Sequence, residues 1–216
     1  MPRSAGDAAI RAHLSGADPV LAALLERHDV LLVEEDDTER EHYAALVRSI
    51  VGQQLSTHVA RIMWERMLER YGGRPPTPEE VLAEDPEELR SAIGLSRAKV
   101  SFLRSLAEHV TTGELDLGEV AGMEDEEAIA ALTEVRGIGE WSAHMFLMFQ
   151  LRRPDVLAWG DLAIRRGVQE AYGLPELPDR ARLEEIAESW RPHRTAACRV
   201  IWWSLDGRSE EDADAG

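Results

Sequence analysis

Apolar residues recur at three- and four-residue spacing along most of the chain, a period that predicts helices. Asp18-Pro19 reads as an N-cap followed by proline at the first helical position, opening a helix to about His28. Residues 39–52 place Tyr43, Leu46, Val47, Ile50 and Val51 on one side of a second helix. Ser56 caps a third helix, running to Tyr71 and stopped by Gly72-Gly73, with Val59, Ile62, Met63, Met67 and Leu68 as its stripe. After the rigid connector Arg74 to Pro78, short helices are expected at 78–84 and 86–92, and a long one at 97–111 behind Ser96. A pair follows at 124–135 and 140–151, ended by Pro154, and the chain closes with helices at 161–172, 179–190 and 194–205. Strand signal is confined to the apolar run Val30 to Val33, which has no evident pairing partner. Residues 209–216 are small and acidic and read as a disordered tail.

Composition narrows the function. Of 216 residues, 44% are apolar and 30% charged, a globular balance. The longest nearly apolar run, Trp141 to Leu151, is half of the ~20 residues a membrane span needs, and the N-terminus has no hydrophobic signal core, so a cytoplasmic protein is expected. A single cysteine, Cys198, excludes a disulfide framework within the chain and a four-cysteine zinc or iron–sulfur site. The histidines form no HExxH, and nothing points to a catalytic transition metal. The net charge of −17 argues on its face against a polyanionic partner. The charge is uneven, however: residues 40–76 and 132–205 together carry +3, and the rest carries −20. An anion-binding face is expected from those two segments. The bases are 23 arginines and one lysine, Lys99.

The most informative stretch is Leu132 to Ala143, two helices joined by Arg136-Gly137-Ile138-Gly139. Glycines at Gly137 and Gly139 permit a tight turn and close backbone approach to a ligand. The N–H groups from Gly139 to Ser142 then form a helix N-terminus suited to a phosphate, with Ile138 plugging the turn. The helix after it is apolar nearly all round, from Trp141 through Met145 to Phe149, and Trp141 and Met145 share a face. Twenty residues beyond Trp141, Gly160-Asp161 opens another helix. An aspartate there is ordinarily an N-cap; it is also a carboxylate held ionised by a helix terminus.

The hairpin Val135 to Ala143, followed by Trp159-Gly160-Asp161, resembles the helix–hairpin–helix DNA glycosylase superfamily, and within it the alkylbase branch of the DNA-3-methyladenine glycosylase II type. Ile50 to Ser56, Gly94 to Val100, and Glu188 to Ala197 with Ile201-Trp202-Trp203 resemble further segments of that branch, so the likeness covers about residues 40–205. It implies an all-α, two-lobed helical fold with a DNA-binding cleft between the lobes and without the extra N-terminal β domain of a relative. The lobes expected are 38–153, containing the hairpin, and 1–37 with 154–208, carrying Asp161.

The resemblance makes Asp161 the catalytic carboxylate, stabilising oxocarbenium character on the sugar as an N-glycosidic bond breaks. Trp141 stands where lyase-competent members carry a lysine, which implies hydrolysis that leaves an abasic site. Trp141, Met145, Trp202 and Trp159 would line the pocket for a flipped alkylated purine, whose positive charge an aromatic face attracts. A relative has tyrosine at Met145. Trp190 and Trp203 are assigned to the core. Gln53, Gln54, Leu55 and Ser56 fall at the wedge loop, where a relative has leucine at Gln54. Arg136, Gly137, Gly139, Glu140, Ser142 and Arg165, with Arg166, are candidate DNA contacts. The carbonyls of Thr133, Val135 and Ile138 fall where the family binds a Na+ or K+. The chemistry itself needs no cofactor and no iron–sulfur cluster. The implied partner is double-stranded DNA bearing alkylated bases, with no membrane, for a nucleoid-associated enzyme that works as a monomer. A non-catalytic DNA-binding module, or a glycosylase for oxidised or mismatched bases, remains the alternative.

Overall fold

The structure, a computed structural model, describes residues 5–28, 31, 32 and 41–214, with side chains through Leu205. Among them all regular structure is helical. The chain divides into two compact units, one of residues 39–151 and one that joins 1–38 to 152–216.

The 39–151 unit holds α3 (His42–Gly52), α4 (Thr57–Arg70), α5 (Pro78–Ala83), α6 (Pro86–Ile93), α7 (Arg97–Thr112), α8 (Leu117–Gly122), α9 (Asp125–Thr133) and α10 (Glu140–Met145). Side-chain caps start most of these helices: Ser56 accepts the Val59 amide, Ser96 the Lys99 amide, and Thr77 and Glu80 form a reciprocal capping box. Each such cap contributes ~1 kcal/mol, which matters most for helices of six to eight residues. The core is aliphatic, with Leu46, Ile50, Met67, Leu103, Leu106, Leu132 and Leu147 fully buried. Val59, assigned to the α4 stripe, is 39% exposed; it lies in the first turn, whereas Met63 and Met67 carry the buried face. The helix expected over 140–151 is α10 continued by a π-turn, Phe146–Gln150.

The other unit contains α1 (Ala5–Ala17), α2 (Pro19–Arg27), α11 (Leu162–Ala171), α12 (Arg180–Ala187), a 3-10 turn at Glu188–Trp190 and α13 (Arg194–Asp214). Gly167 lets α11 lie directly against α13, since a Cβ there would come within 2.5 Å of Ile201 Cγ2 and 3.2 Å of its carbonyl oxygen. The segment assigned to a disordered tail is helical as far as Asp214, because extending an existing helix is far easier than starting one and Glu and Ala extend it well. Of the apolar run Val30 to Val33, only Leu31 and Leu32 are described; the Leu32 amide donates to buried Asp7 at 2.7 Å, and Val30 and Val33 lie outside the described residues. Trp190 is fully buried as expected, but Trp203 is 53% exposed. In α13, Ala197, Ile201 and Ser204 form the inner face, and Trp203 falls opposite them.

Candidate active site

In the 39–151 unit the hairpin is built from the turn upward. Glu134 closes α9, the Ile138 amide donates to the Val135 carbonyl at 3.0 Å, and the Ala143 amide donates to the Gly139 carbonyl at 3.0 Å. Gly137 adopts a left-handed φ of +92°, and a Cβ there would lie 2.2 Å from Cγ of Phe102. Only glycine satisfies both conditions, so the hairpin backbone rests on the Phe102 ring. Ile138 is 4% exposed, and its burial, worth ~1.5–3 kcal/mol, fixes the turn to the unit. Among the resemblance-assigned phosphate contacts, Gly139 and Arg136 are exposed, but Ser142 is buried at 7%.

A groove of about 1480 Å³ opens beside this hairpin, and its lining comes entirely from the same unit. It brings together Gly137, Gly139, Trp141, Met145, Gln53, Gln54 and Leu55. Trp141, at 45% exposure, presents most of an indole to solvent, an unusual state for so large an apolar ring in a folded protein. Phe149 continues the Trp141–Met145 face along the groove. Opposite, α3 contributes Ala45, Ser49 and Gly52, small residues that leave the space open.

The wedge loop is tied to the hairpin. Gln53 Nε2 donates to the Gly137 carbonyl at 2.8 Å, so Gln53 braces the loop rather than presenting its amide outward. Gln54 follows with φ +57°, a left-handed backbone held in a non-glycine residue, and is exposed. Ser56 spends its hydroxyl on the α4 cap. Lys99 Nζ donates to the Val51 carbonyl at 2.7 Å, and burial lowers its pKa. The chain's one amine is thus committed to the end of α3.

In the other unit, Asp161 is the N-cap of α11, as its sequence position predicts. Its Oδ1 accepts the Ile164 amide at 2.9 Å and the Trp202 indole N–H at 3.2 Å. The Asp161 amide donates to Ala158 at 3.0 Å, so a tight turn sets the carboxylate at the start of the helix. Trp202, assigned to the base pocket, therefore turns its polar edge to Asp161. Trp159, assigned to the same pocket, carries the Arg180 guanidinium 4.7 Å from its ring centroid. Arg165 donates through Nε to the Pro178 carbonyl at 2.8 Å, whereas Arg166 is exposed. None of these partners could be read from spacing: Trp202 lies 41 residues from Asp161, and Gln53 lies 84 from Gly137. Behind the site, Cys198 is fully buried and its thiol is pushed up to about 12.

A family model described as HhH-GPD superfamily base excision DNA repair protein matches residues 47–192. DNA-3-methyladenine glycosylase 1 of Schizosaccharomyces pombe is 34% identical over 192 residues, covering 88% of this chain and 84% of that protein. DNA-3-methyladenine glycosylase 2 of Escherichia coli is 29% identical over 177 residues, covering 76% of this chain and 58% of its own. The crystal structure of a Bacillus halodurans DNA-3-methyladenine glycosidase superposes with a TM-score of 0.79 at 34% identity, over 94% of this chain and 91% of that one. The S. pombe 3-methyladenine DNA glycosylase in complex with abasic DNA gives 0.74 at 34% identity, over 89% and 94%. The matched span contains the hairpin, Trp141 and Asp161, and this chain belongs to the HhH-GPD superfamily of base excision DNA repair proteins.

Proposed function

We propose that the protein is a monofunctional DNA glycosylase that removes alkylated purines of the 3-methyladenine type from duplex DNA. The observation that carries this is Asp161, a carboxylate fixed by one backbone and one indole N–H on a single oxygen. In this reading the hairpin grips the backbone, the extruded base stacks on Trp141 and Met145, and Asp161 acts on the sugar. The bond from C1′ to the base nitrogen breaks and its electron pair leaves with the base. A purine alkylated on the ring is cationic, so it departs neutral without needing a proton. Positive charge develops on the sugar, and a preorganised carboxylate stabilises it. Water attacks C1′ and yields its proton, leaving an abasic site. Selectivity follows from the same charge, since an indole face attracts a cationic base by roughly 0.5–2 kcal/mol.

The absence of lyase chemistry is supported by the sequence and by Lys99. The hairpin carries Trp141 where an amine would be needed, and Lys99 is engaged on Val51. The carbonyls of Thr133, Val135 and Ile138 suit a hard monovalent cation. Val135, which accepts one amide, retains a lone pair for it. A Na+ or K+ held there would add positive charge at the hairpin, where a phosphate of double-stranded DNA would rest.

The test is base release from alkylated duplex DNA, followed by mass spectrometry of the freed base, for wild type and Asp161→Asn. Release by the wild type, lost in the variant, with an intact abasic strand as product, is the expected result. Equal rates would overturn the role of Asp161, and a cleaved strand would overturn the hydrolytic assignment.

A further inference from the structure

Residues 77–131 are the most acidic part of the chain, with fourteen acids and four bases. The three arginines among those bases, Arg90, Arg97 and Arg104, nevertheless line a single recess of about 300 Å³, and the hairpin residue Arg136 joins them. The acids lining it are Glu87 and Glu108, so the recess is cationic by two charges within a strongly anionic protein.

The four guanidinium groups are held in different ways. Arg104 Nη1 donates to the carbonyls of Val81, Leu82 and Glu84 at 3.2–3.3 Å, closing the end of α5. Arg136 is pinned to α7 twice, through its amide to Ser105 Oγ at 3.3 Å and through Nη2 to the Ser101 carbonyl at 3.4 Å. Arg90 and Arg97 share one carboxylate, Glu87, at 2.7 and 3.3 Å. That shared partner turns both side chains to the same place. A guanidinium has five N–H donors, and a carboxylate shared between two of them leaves donors for an anion.

We propose that this recess is an additional DNA-phosphate site, flanking the hairpin and lengthening the protein's grip along one strand. The proposal rests on the reading that duplex DNA is the substrate. DNA is favoured over a free small anion because Arg136 is contiguous with Gly137 to Gly139. A backbone seated on the hairpin would continue past Arg136, where a second phosphate meets Arg90 and Arg97. It also resolves the charge problem locally. The acidic segment excludes nucleic acid from most of its surface and admits it at one point, which orients the duplex as well as binding it.

The test is the double variant Arg90→Gln, Arg97→Gln, which leaves the structural Arg104 and the hairpin untouched. Binding to an undamaged duplex is followed by fluorescence anisotropy over a series of KCl concentrations. The plot of log K against log salt should become less steep by about 1 to 2, at ~0.9 for each lost phosphate contact. The single-turnover rate of base release at saturating alkylated duplex should stay at the wild-type value. An unchanged salt slope overturns the proposal, whether or not the rate falls. Inorganic phosphate alone, followed by NMR at the arginine side chains, separates the sources: binding of free phosphate with an unchanged DNA slope would make this a small-anion site and overturn the DNA assignment. If instead the slope responds as expected but the wild type releases no base, the glycosylase reading fails and the recess stands.

Discussion

Two aspartates in the same unit follow one design and end in different roles. Asp18 and Asp161 each cap a helix, and each accepts an indole N–H, from Trp190 at 3.1 Å and Trp202 at 3.2 Å. Asp18 is 5% exposed and uses both oxygens. Oδ1 takes the Val20 and Leu21 amides, and Oδ2 takes Tyr172, Ser189 and Trp190. Five donors and near-complete burial make it a fastener tying α2 to Tyr172 and to the turn before α13. Asp161 is only half-buried, and both of its donors above fall on Oδ1. The comparison teaches that an indole-braced N-cap is not by itself a catalytic signature. Exposure of the carboxylate and the number of donors around it separate the two roles.

The comparison breaks most visibly at the carboxylates themselves. Asp161→Asn keeps a good N-cap, so the melting temperature should hold while base release falls roughly 100- to 1000-fold or more, the scale of losing one preorganised electrostatic group. Asp18→Ala should do the reverse. Stability should fall by about 2–4 kcal/mol, because a cap is lost and buried donors on Tyr172 and Trp190 are left without an acceptor, while the folded fraction retains its turnover. Chemical denaturation alongside single-turnover assays distinguishes the two. A loss of turnover in folded Asp18→Ala would show that the distinction drawn between the two aspartates is wrong.

The indoles sharpen it further. Trp202→Phe removes a donor to Asp161 with little change of shape, and should slow base release by roughly fivefold to tenfold at nearly constant stability, the effect of about 1–1.5 kcal/mol for one hydrogen bond. Trp190→Phe should instead cost about 1–3 kcal/mol of stability at constant rate. The smallest effect is titration. Tyr172 has its pKa raised, chiefly by burial and then by Asp18. The folded state therefore holds this proton more tightly than the unfolded chain. Its contribution is fully present below the ordinary tyrosine value near 10 and is lost as pH climbs above it. Tyr172→Phe should flatten that alkaline limb in a series of denaturant melts; an identical limb would remove Tyr172 as its source.

Much of this architecture was legible because local chemistry marks helix ends. Asp18-Pro19, Ser56, Ser96 and Asp161 all cap the helices their positions predict. α1 was missed because its alanines and Gly16 dilute the period, leaving Leu14 as its one fully buried apolar anchor. α8 is six residues held by an Asp116 cap, too short for a pattern to register. Within the site, the hairpin was readable because its glycines are a local backbone requirement. The jobs of Trp202, Trp159 and Gln53 were not. Adjacent tryptophans at positions 202 and 203 are indistinguishable by composition, and only the packing of α13 at Gly167 decides which one reaches Asp161. Gln53 looked like a surface contact, since nothing in the sequence joins it to Gly137.

The π-turn at Phe146–Gln150 sets a limit on how this helix can evolve. A turn of that kind holds one residue more than the α-helix around it, so removing a single residue would restore the regular winding and swing each later position by ~100°. Phe149 would rotate off the groove wall, and Gln150 would lose its 3.0 Å bond to His42. Side-chain replacement in this stretch is therefore open to drift, but its length is not: descendants can vary the letters here and must conserve the count.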